Sequence, residues 1–214
     1  MTAGALHQPL PLAEWQNFYV IVGTSAGALI GLTFVVITIA SDSAVSPAAS
    51  ARIRLLGLRA FITPTAVHLG AALGLSALLN VPGQTPLSLA ACTGLIGAVG
   101  VVYGAVVVRW IRLMGASYQP VRADWVWNVV LPLIAYGCLL AASGLLLARA
   151  RAGLYCVGAV AMVLLFVGIH NAWDMVAWMT TERHAAAEGK SAAAPEAAAP
   201  PPAGQQSPRS ARGG

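Results

Sequence analysis

Residues 168–178 have the sequence GIHNAWDMVAW and form the polar end of the last long apolar run of the chain. His170, Asn171 and Asp174 place an imidazole, an amide and a carboxylate together at the edge of this hydrophobic segment. At about 100° per residue on a helix, His170 and Asp174 lie one turn apart on one face, with Asn171 close to both. Polar side chains at the edge of an apolar segment need polar partners from elsewhere in the chain. The fold therefore depends on how the other segments pack around this cluster.

The composition of the whole chain is typical of a membrane protein. Of its 214 residues, 58% are hydrophobic and 9% are charged, whereas a soluble domain carries about 25% charged residues. The chain has twelve basic and seven acidic residues. The basic residues lie in loops and in the tail and not along one helical face. The lipid bilayer is therefore a predicted partner, and nucleic acid is not.

Five apolar runs predict five transmembrane helices, because about 20 apolar residues cross a hydrocarbon core of about 30 Å. The runs cover residues 18–40, 60–79, 87–108, 127–148 and 152–178. The predicted fold is an all-α integral membrane protein, with a five-helix bundle over residues 18–181. Residues 1–17 form an N-terminal segment, and residues 182–214, rich in Ala and Pro, form a predicted disordered tail.

The distribution of basic residues predicts the orientation of the bundle. With the N-terminus outside, only Arg149 and Arg151, in the short link between helices four and five, face the periplasm. The other ten basic residues are then cytoplasmic: Arg52, Arg54, Arg59, Arg109, Arg112, Arg122, Arg183, Lys190, Arg209 and Arg212. The positive-inside rule favours this N-out, C-in arrangement in a bacterial inner membrane, with a periplasmic N-terminal segment and a cytoplasmic tail.

Glycines recur at spacings that allow membrane helices to approach closely. Gly23, Gly27 and Gly31 repeat every four residues in the first helix. This stripe is typical both of packing within a bundle and of homodimerisation. Further predicted packing positions are Gly70, Gly74, Gly100 and Gly104.

His68 is an ionisable residue predicted about 12 Å deep in the second helix. Such a residue is either a functional group or a neutral imidazole that hydrogen-bonds to a neighbouring helix. Spacings of four and three in the last helix predict a stripe that faces the bundle and ends in the polar cluster: Cys156, Val160, Val163, Val167, His170 and Asp174. The sequence leaves open whether His68 meets His170.

The motifs of common enzymes and metal proteins are not found in this sequence. The histidines lack the close spacing of a His-Glu-x-x-His site, and no Gly-x-Ser-x-Gly elbow is present. Cys92, Cys138 and Cys156 lie singly in apolar runs and are interpreted as small buried side chains. We therefore predict no catalytic residue, no metal and no cofactor, with a bis-histidine haem through His68 and His170 as the alternative.

Two segments resemble known bacterial membrane proteins. Residues 15–20 (WQNFYV) and 27–35 (GALIGLTFV) resemble the first helix of small proteins, some of which are labelled modulators of the membrane-anchored AAA protease. Residues 169–174 (IHNAWD) resemble the final helix of other bacterial membrane proteins. The resemblance implies an inner-membrane location and, for the first segment, regulation of a protease.

Two functions are compatible with these features. The first is a non-enzymatic scaffold, accessory subunit or regulator of a membrane complex, with a membrane-protein partner or a second copy of the chain. The second is a proton or small-ion pathway that uses His170, Asp174 and His68, because ionisable residues within a membrane often mark ion paths.

Overall fold

The computed structural model describes residues 6–42, 63–114 and 122–197. Within these ranges all regular structure is helical, which confirms the predicted all-α class. A short 3-10 turn, Leu12–Trp15, precedes five longer helices. These are α1 (Gln16–Asp42), α2 (Thr63–Leu79), α3 (Pro86–Met114), α4 (Arg122–Ala148) and α5 (Ala150–Ala197). Five of the predicted cytoplasmic arginines lie outside the described residues: Arg52, Arg54, Arg59, Arg209 and Arg212.

Within the described residues, four helices are apolar and long enough to cross a membrane, over Leu12–Thr38, Pro86–Leu113, Arg122–Ala148 and Ala150–Ala177. The chain is therefore multi-pass, as its composition predicts. The α2 helix is also apolar but has only 17 described residues, or about 26 Å at 1.5 Å per residue. A fifth crossing stays a prediction.

The helix ends extend past the apolar runs from which they were predicted. The third helix continues from the predicted end at residue 108 to Met114, through Arg109 and Arg112. Long basic side chains can keep their charge in water while their stems cover apolar surface, so a loss of apolar residues marks the membrane edge and not the end of the helix. Likewise, α5 runs past residue 178 to Ala197.

The described chain divides into two compact units, Met1–Val176 and Ala177–Gly214. The second unit contains the last part of α5, and residues 198–214 lie outside the described residues. The disorder predicted for residues 182–214 stays a prediction.

Helices α3 and α4 pack through a row of α3 glycines. Gly94 lies against Ser143, Gly97 against Leu140, Gly100 against Tyr136 and Gly104 against Leu133. Residue numbers rise along α3 as they fall along α4, so the two helices are antiparallel. A Cβ at Gly100 would overlap the Tyr136 ring, which shows how closely the helices approach.

The other predicted packing glycines behave differently from one another. Gly23 of α1 lies against Ser76 of α2, where an added Cβ would come within 2.9 Å of the serine Cβ. No described atom lies within 4 Å of the Cβ position of the remaining four: Gly27, Gly31, Gly70 and Gly74. Among the described residues, the α1 stripe therefore meets another helix at its first glycine only.

The α5 helix is the most buried of the four candidate spans, with 56% of its apolar window buried against 22 to 39% in the others. Its buried stripe consists of Leu154, Val157, Ala161, Leu164, Gly168 and Asn171. The stripe predicted from Cys156 to Asp174 is wrong at Cys156, Val163 and Asp174, which are exposed. Because α5 is apolar on every side, its spacing alone does not distinguish neighbouring stripes.

Cys92 and Cys138 are also exposed, contrary to expectation.

Two contacts place three chain segments at the same end of the bundle. The backbone N–H of Leu10 donates to the carbonyl of Gln84 at 2.7 Å, which joins the N-terminal segment to the turn between α2 and α3. The rings of Trp15 and Tyr155 meet edge to face with centroids 4.8 Å apart, which joins the same segment to the start of α5. The α4–α5 link at Arg149 therefore lies at this end too.

Candidate polar site at the contact of α4 and α5

A π-helical turn shapes the start of α4. It covers Val126–Val130 and is followed by Pro132. Proline has no N–H to donate to the carbonyl four residues earlier, that of Asn128, and its ring crowds that carbonyl, so the wider turn relieves the conflict. The turn contains Trp127 and the buried Asn128, whose amide donates to the carbonyl of Asp124 at 3.2 Å.

Trp127 stacks on His170 of α5. Their ring centroids are 3.7 Å apart and their planes are 9° from parallel. The histidine side chain is 32% exposed, so the indole covers one face while part of the imidazole stays accessible. Trp127 therefore reaches the polar cluster of α5 from a neighbouring helix.

Asp174 follows His170 by one helical turn, as the spacing predicts. Its Oδ2 atom lies 3.2 Å from the His170 Nδ1 atom. The approach lacks the alignment of a hydrogen bond, since Nδ1 has no hydrogen-bond partner among the described residues. The carboxylate is 61% exposed, so water screens this pair and its contribution to stability is small.

Asn171 is the buried member of the cluster. It is 7% exposed and ends the buried stripe of α5. Neither its amide nitrogen nor its amide oxygen has a hydrogen-bond partner among the described residues. An unpaired buried amide is costly, so Asn171 marks a position where a polar group is held without a protein partner.

His68 lies in a second polar contact, deep between α2 and α4. Its Nδ1 atom is 3.0 Å from the Tyr136 hydroxyl, and both residues are 1% exposed. Nε2 has no hydrogen-bond partner within the described part of the chain. The absence of a side chain at Gly100 makes room for the Tyr136 ring, so a glycine of α3 permits a hydrogen bond between α2 and α4.

The two histidines occupy different levels of the bundle. His170 contacts Trp127 and His68 contacts Tyr136, which lie nine residues apart on α4, or about 13 Å at 1.5 Å per residue. The structure thus brings Trp127 onto His170, places Asp174 beside the same imidazole, and gives His68 a partner of its own. A haem bound between the two histidines has no support in this arrangement.

The remaining chemistry of the described residues is limited. No group of three or more His, Cys, Asp or Glu side chains that would hold a metal occurs in the described ranges.

The functional contacts that sequence reasoning missed are those of Trp127, Asn128 and Tyr136. A usable signal was Pro132, since a proline early in a membrane helix displaces the backbone where these residues lie.

Comparison with known proteins found no match to this chain among protein-family models, curated proteins or solved structures. The class therefore follows from the fold and from the site. The chain is a multi-pass α-helical membrane protein, with four apolar helices able to span a bilayer and polar contacts where its helices meet.

Proposed function

We propose that the chain is a non-enzymatic scaffold, accessory subunit or regulator of a membrane complex. The observation that carries this proposal is the stacking of Trp127 on His170. It makes the most conspicuous polar cluster of the sequence part of the contact between α4 and α5. The cluster then acts by fixing the position of the most buried helix, not by chemistry on a substrate.

The proposed topology is a five-helix bundle in a bacterial inner membrane, N-out and C-in. The bond between Leu10 and Gln84 supports it, because α2 must return the chain to the end where α1 begins. The contact between Trp15 and Tyr155 supports it in the same way for α3 and α4. This topology gives the ten-to-two distribution of basic residues that the positive-inside rule favours.

Affinity purification from native membranes tests the scaffold function. We expect the tagged chain to recover a membrane-protein partner in fixed stoichiometry, and the resemblance of the first helix makes a membrane-anchored AAA protease the first candidate. H170A is expected to lower partner recovery per folded molecule, because it removes the stack that orients α5. H7A is the matched control, since His7 is exposed and precedes the bundle. Monomers without a partner would contradict the proposal.

A proton pathway is the second candidate, and the buried pair of His68 and Tyr136 favours it. An imidazole with one bonded and one unpaired nitrogen has the donor and acceptor sites that proton transfer requires. Purified protein in liposomes under a pH gradient tests this function. Flux that H68Q and D174N abolish and H7A preserves would support it, and absence of flux in the unaltered protein would exclude it.

A further inference from the structure

An apolar groove lies at the end of the bundle opposite the polar cluster. It has a volume of about 350 Å³ and is lined by Trp15 and Phe18 on one side and by Tyr155, Gly158, Ala159 and Met162 of α5 on the other. Tyr155 is 59% exposed and Ala159 is also exposed, so the groove is open to the surroundings of the bundle.

A glycine at the floor of this groove lets two aromatic rings pack closely on α5. A Cβ at Gly158 would lie 3.1 Å from the Trp15 ring and 3.5 Å from the Phe18 ring. A larger side chain at this position would therefore push the aromatic rings away from α5. Around it, Trp15 packs edge to face with Phe18 and with Tyr155, so aromatic edges and faces form the walls.

Arg151 stands at the open end of the same face of α5, and Arg149 lies in the link that precedes this helix. Arg151, Tyr155, Gly158 or Ala159, and Met162 follow one another at spacings of three and four, so they share one face of α5. Arg149 and Arg151 are both exposed, and neither forms an ion pair with an acidic side chain of the described residues. Glu14 is the acidic residue nearest in sequence to the residues that line the groove. The two arginines and this one glutamate together leave an excess of positive charge.

These are the two arginines that depart from the positive-inside distribution. Basic residues at a membrane surface attract anionic lipid headgroups, and aromatic side chains favour the headgroup level. Arg151 and Met162 are eleven residues apart on α5, or about 16 Å. That length is sufficient for a phosphate beside the arginine and a hydrocarbon chain along the groove.

We propose that this groove binds one anionic glycerophospholipid, with its phosphate beside Arg151 and one acyl chain lying along the open surface formed by Trp15, Phe18 and α5. The charge of the two arginines selects an anionic headgroup over a zwitterionic one. The apolar walls hold the acyl chain and would not retain a free phosphate.

Native mass spectrometry of the full chain tests the proposal with phosphatidylglycerol and phosphatidylcholine of identical acyl chains, added in equal amounts. We expect the unaltered protein to retain one phosphatidylglycerol in preference to phosphatidylcholine. R151Q is expected to lower phosphatidylglycerol retention about fivefold, the effect of one basic residue at a membrane surface, and to leave phosphatidylcholine unchanged. R109Q, an exposed arginine at the other end of the bundle, is the matched control.

A second variant tests the groove itself and does not depend on charge. A159F places a ring in the groove at an exposed position, and we expect it to reduce the retention of both lipids. A105F, at an exposed alanine of α3, is the control. Equal retention of the two lipids by the unaltered protein, or unchanged binding by R151Q or A159F, would overturn the proposal. Dimers that A159F dissociates without changing lipid retention would overturn it in favour of an interface between copies.

Discussion

The indole of Trp127 lies parallel to the imidazole of His170, with 3.7 Å between the ring centroids. This contact joins a π-helical turn of α4 to the polar end of α5. Pro132 causes the turn, and the turn includes the tryptophan that stacks on the histidine. The polar cluster and the irregular start of α4 are therefore parts of one contact between helices.

The energy of this stack is measurable in a double-mutant cycle with W127L, H170L and the double variant. We expect a coupling energy of about 0.5–1.5 kcal/mol, the range for aromatic pairs beyond their buried area. Thermal or chemical unfolding in detergent provides the measurement. H170F is the control, because a phenyl ring preserves the stack, and it should lie close to the unaltered protein. Additive effects of W127L and H170L would show that the rings are adjacent without stabilising each other.

Two alanine substitutions compare a packed glycine with an open one. G100A is expected to destabilise the protein, because the new Cβ would overlap the Tyr136 ring. Overpacking of this kind costs about 1–3 kcal/mol. G74A is the matched control, since no described atom lies within 4 Å of its Cβ position, and alanine is the better helix former by about 1 kcal/mol. Unfolding midpoints should fall for the first variant and hold or rise for the second; the opposite order would contradict the packing of α3 on α4.

The hydrogen bond between Tyr136 and His68 predicts non-additive substitutions. Y136F leaves Nδ1 of the buried imidazole without its partner, so we expect a loss of about 1–3 kcal/mol in the free energy of unfolding. Replacing both residues, in Y136F with H68L, removes the unpaired group and should recover part of that loss. A double variant less stable than either single one would show that His68 is stabilised by something other than Tyr136.

Much of the fold could be predicted because composition and run length decide it. A chain with 58% hydrophobic and 9% charged residues cannot cover its apolar surface in water, and apolar runs longer than 20 residues are read directly as spans. The orientation of each helix about its own axis was harder to predict. In α5 the buried stripe passes through Val157 and Leu164, one position from the predicted residues Cys156 and Val163, because the helix is apolar all round.

Only part of the site could be predicted, because spacing within one helix is visible in the sequence and the rotation of helices against each other is not. Helical spacing alone places His170 near Asp174, and the structure shows them 3.2 Å apart. The partners from other helices, Trp127 for His170 and Tyr136 for His68, depend on how helices pair and rotate, which one sequence does not contain. The space that Gly100 leaves for the Tyr136 ring could not be predicted for the same reason, because the two residues lie 36 positions apart along the chain.

Asn171 gives the sharpest test of the cluster, because both of its amide atoms are buried without a partner among the described residues. N171L removes this unpaired amide and keeps a side chain of similar length, so we expect an unfolding midpoint equal to or above that of the unaltered protein. N128L is the matched control: Asn128 is equally buried, at 7% exposed, but donates to the Asp124 carbonyl. Its loss should cost about 0.5–1.5 kcal/mol. If N171L instead destabilises the protein as much as N128L does, the Asn171 amide binds a polar group in the membrane, and its position beside His170 identifies the cluster as a binding site.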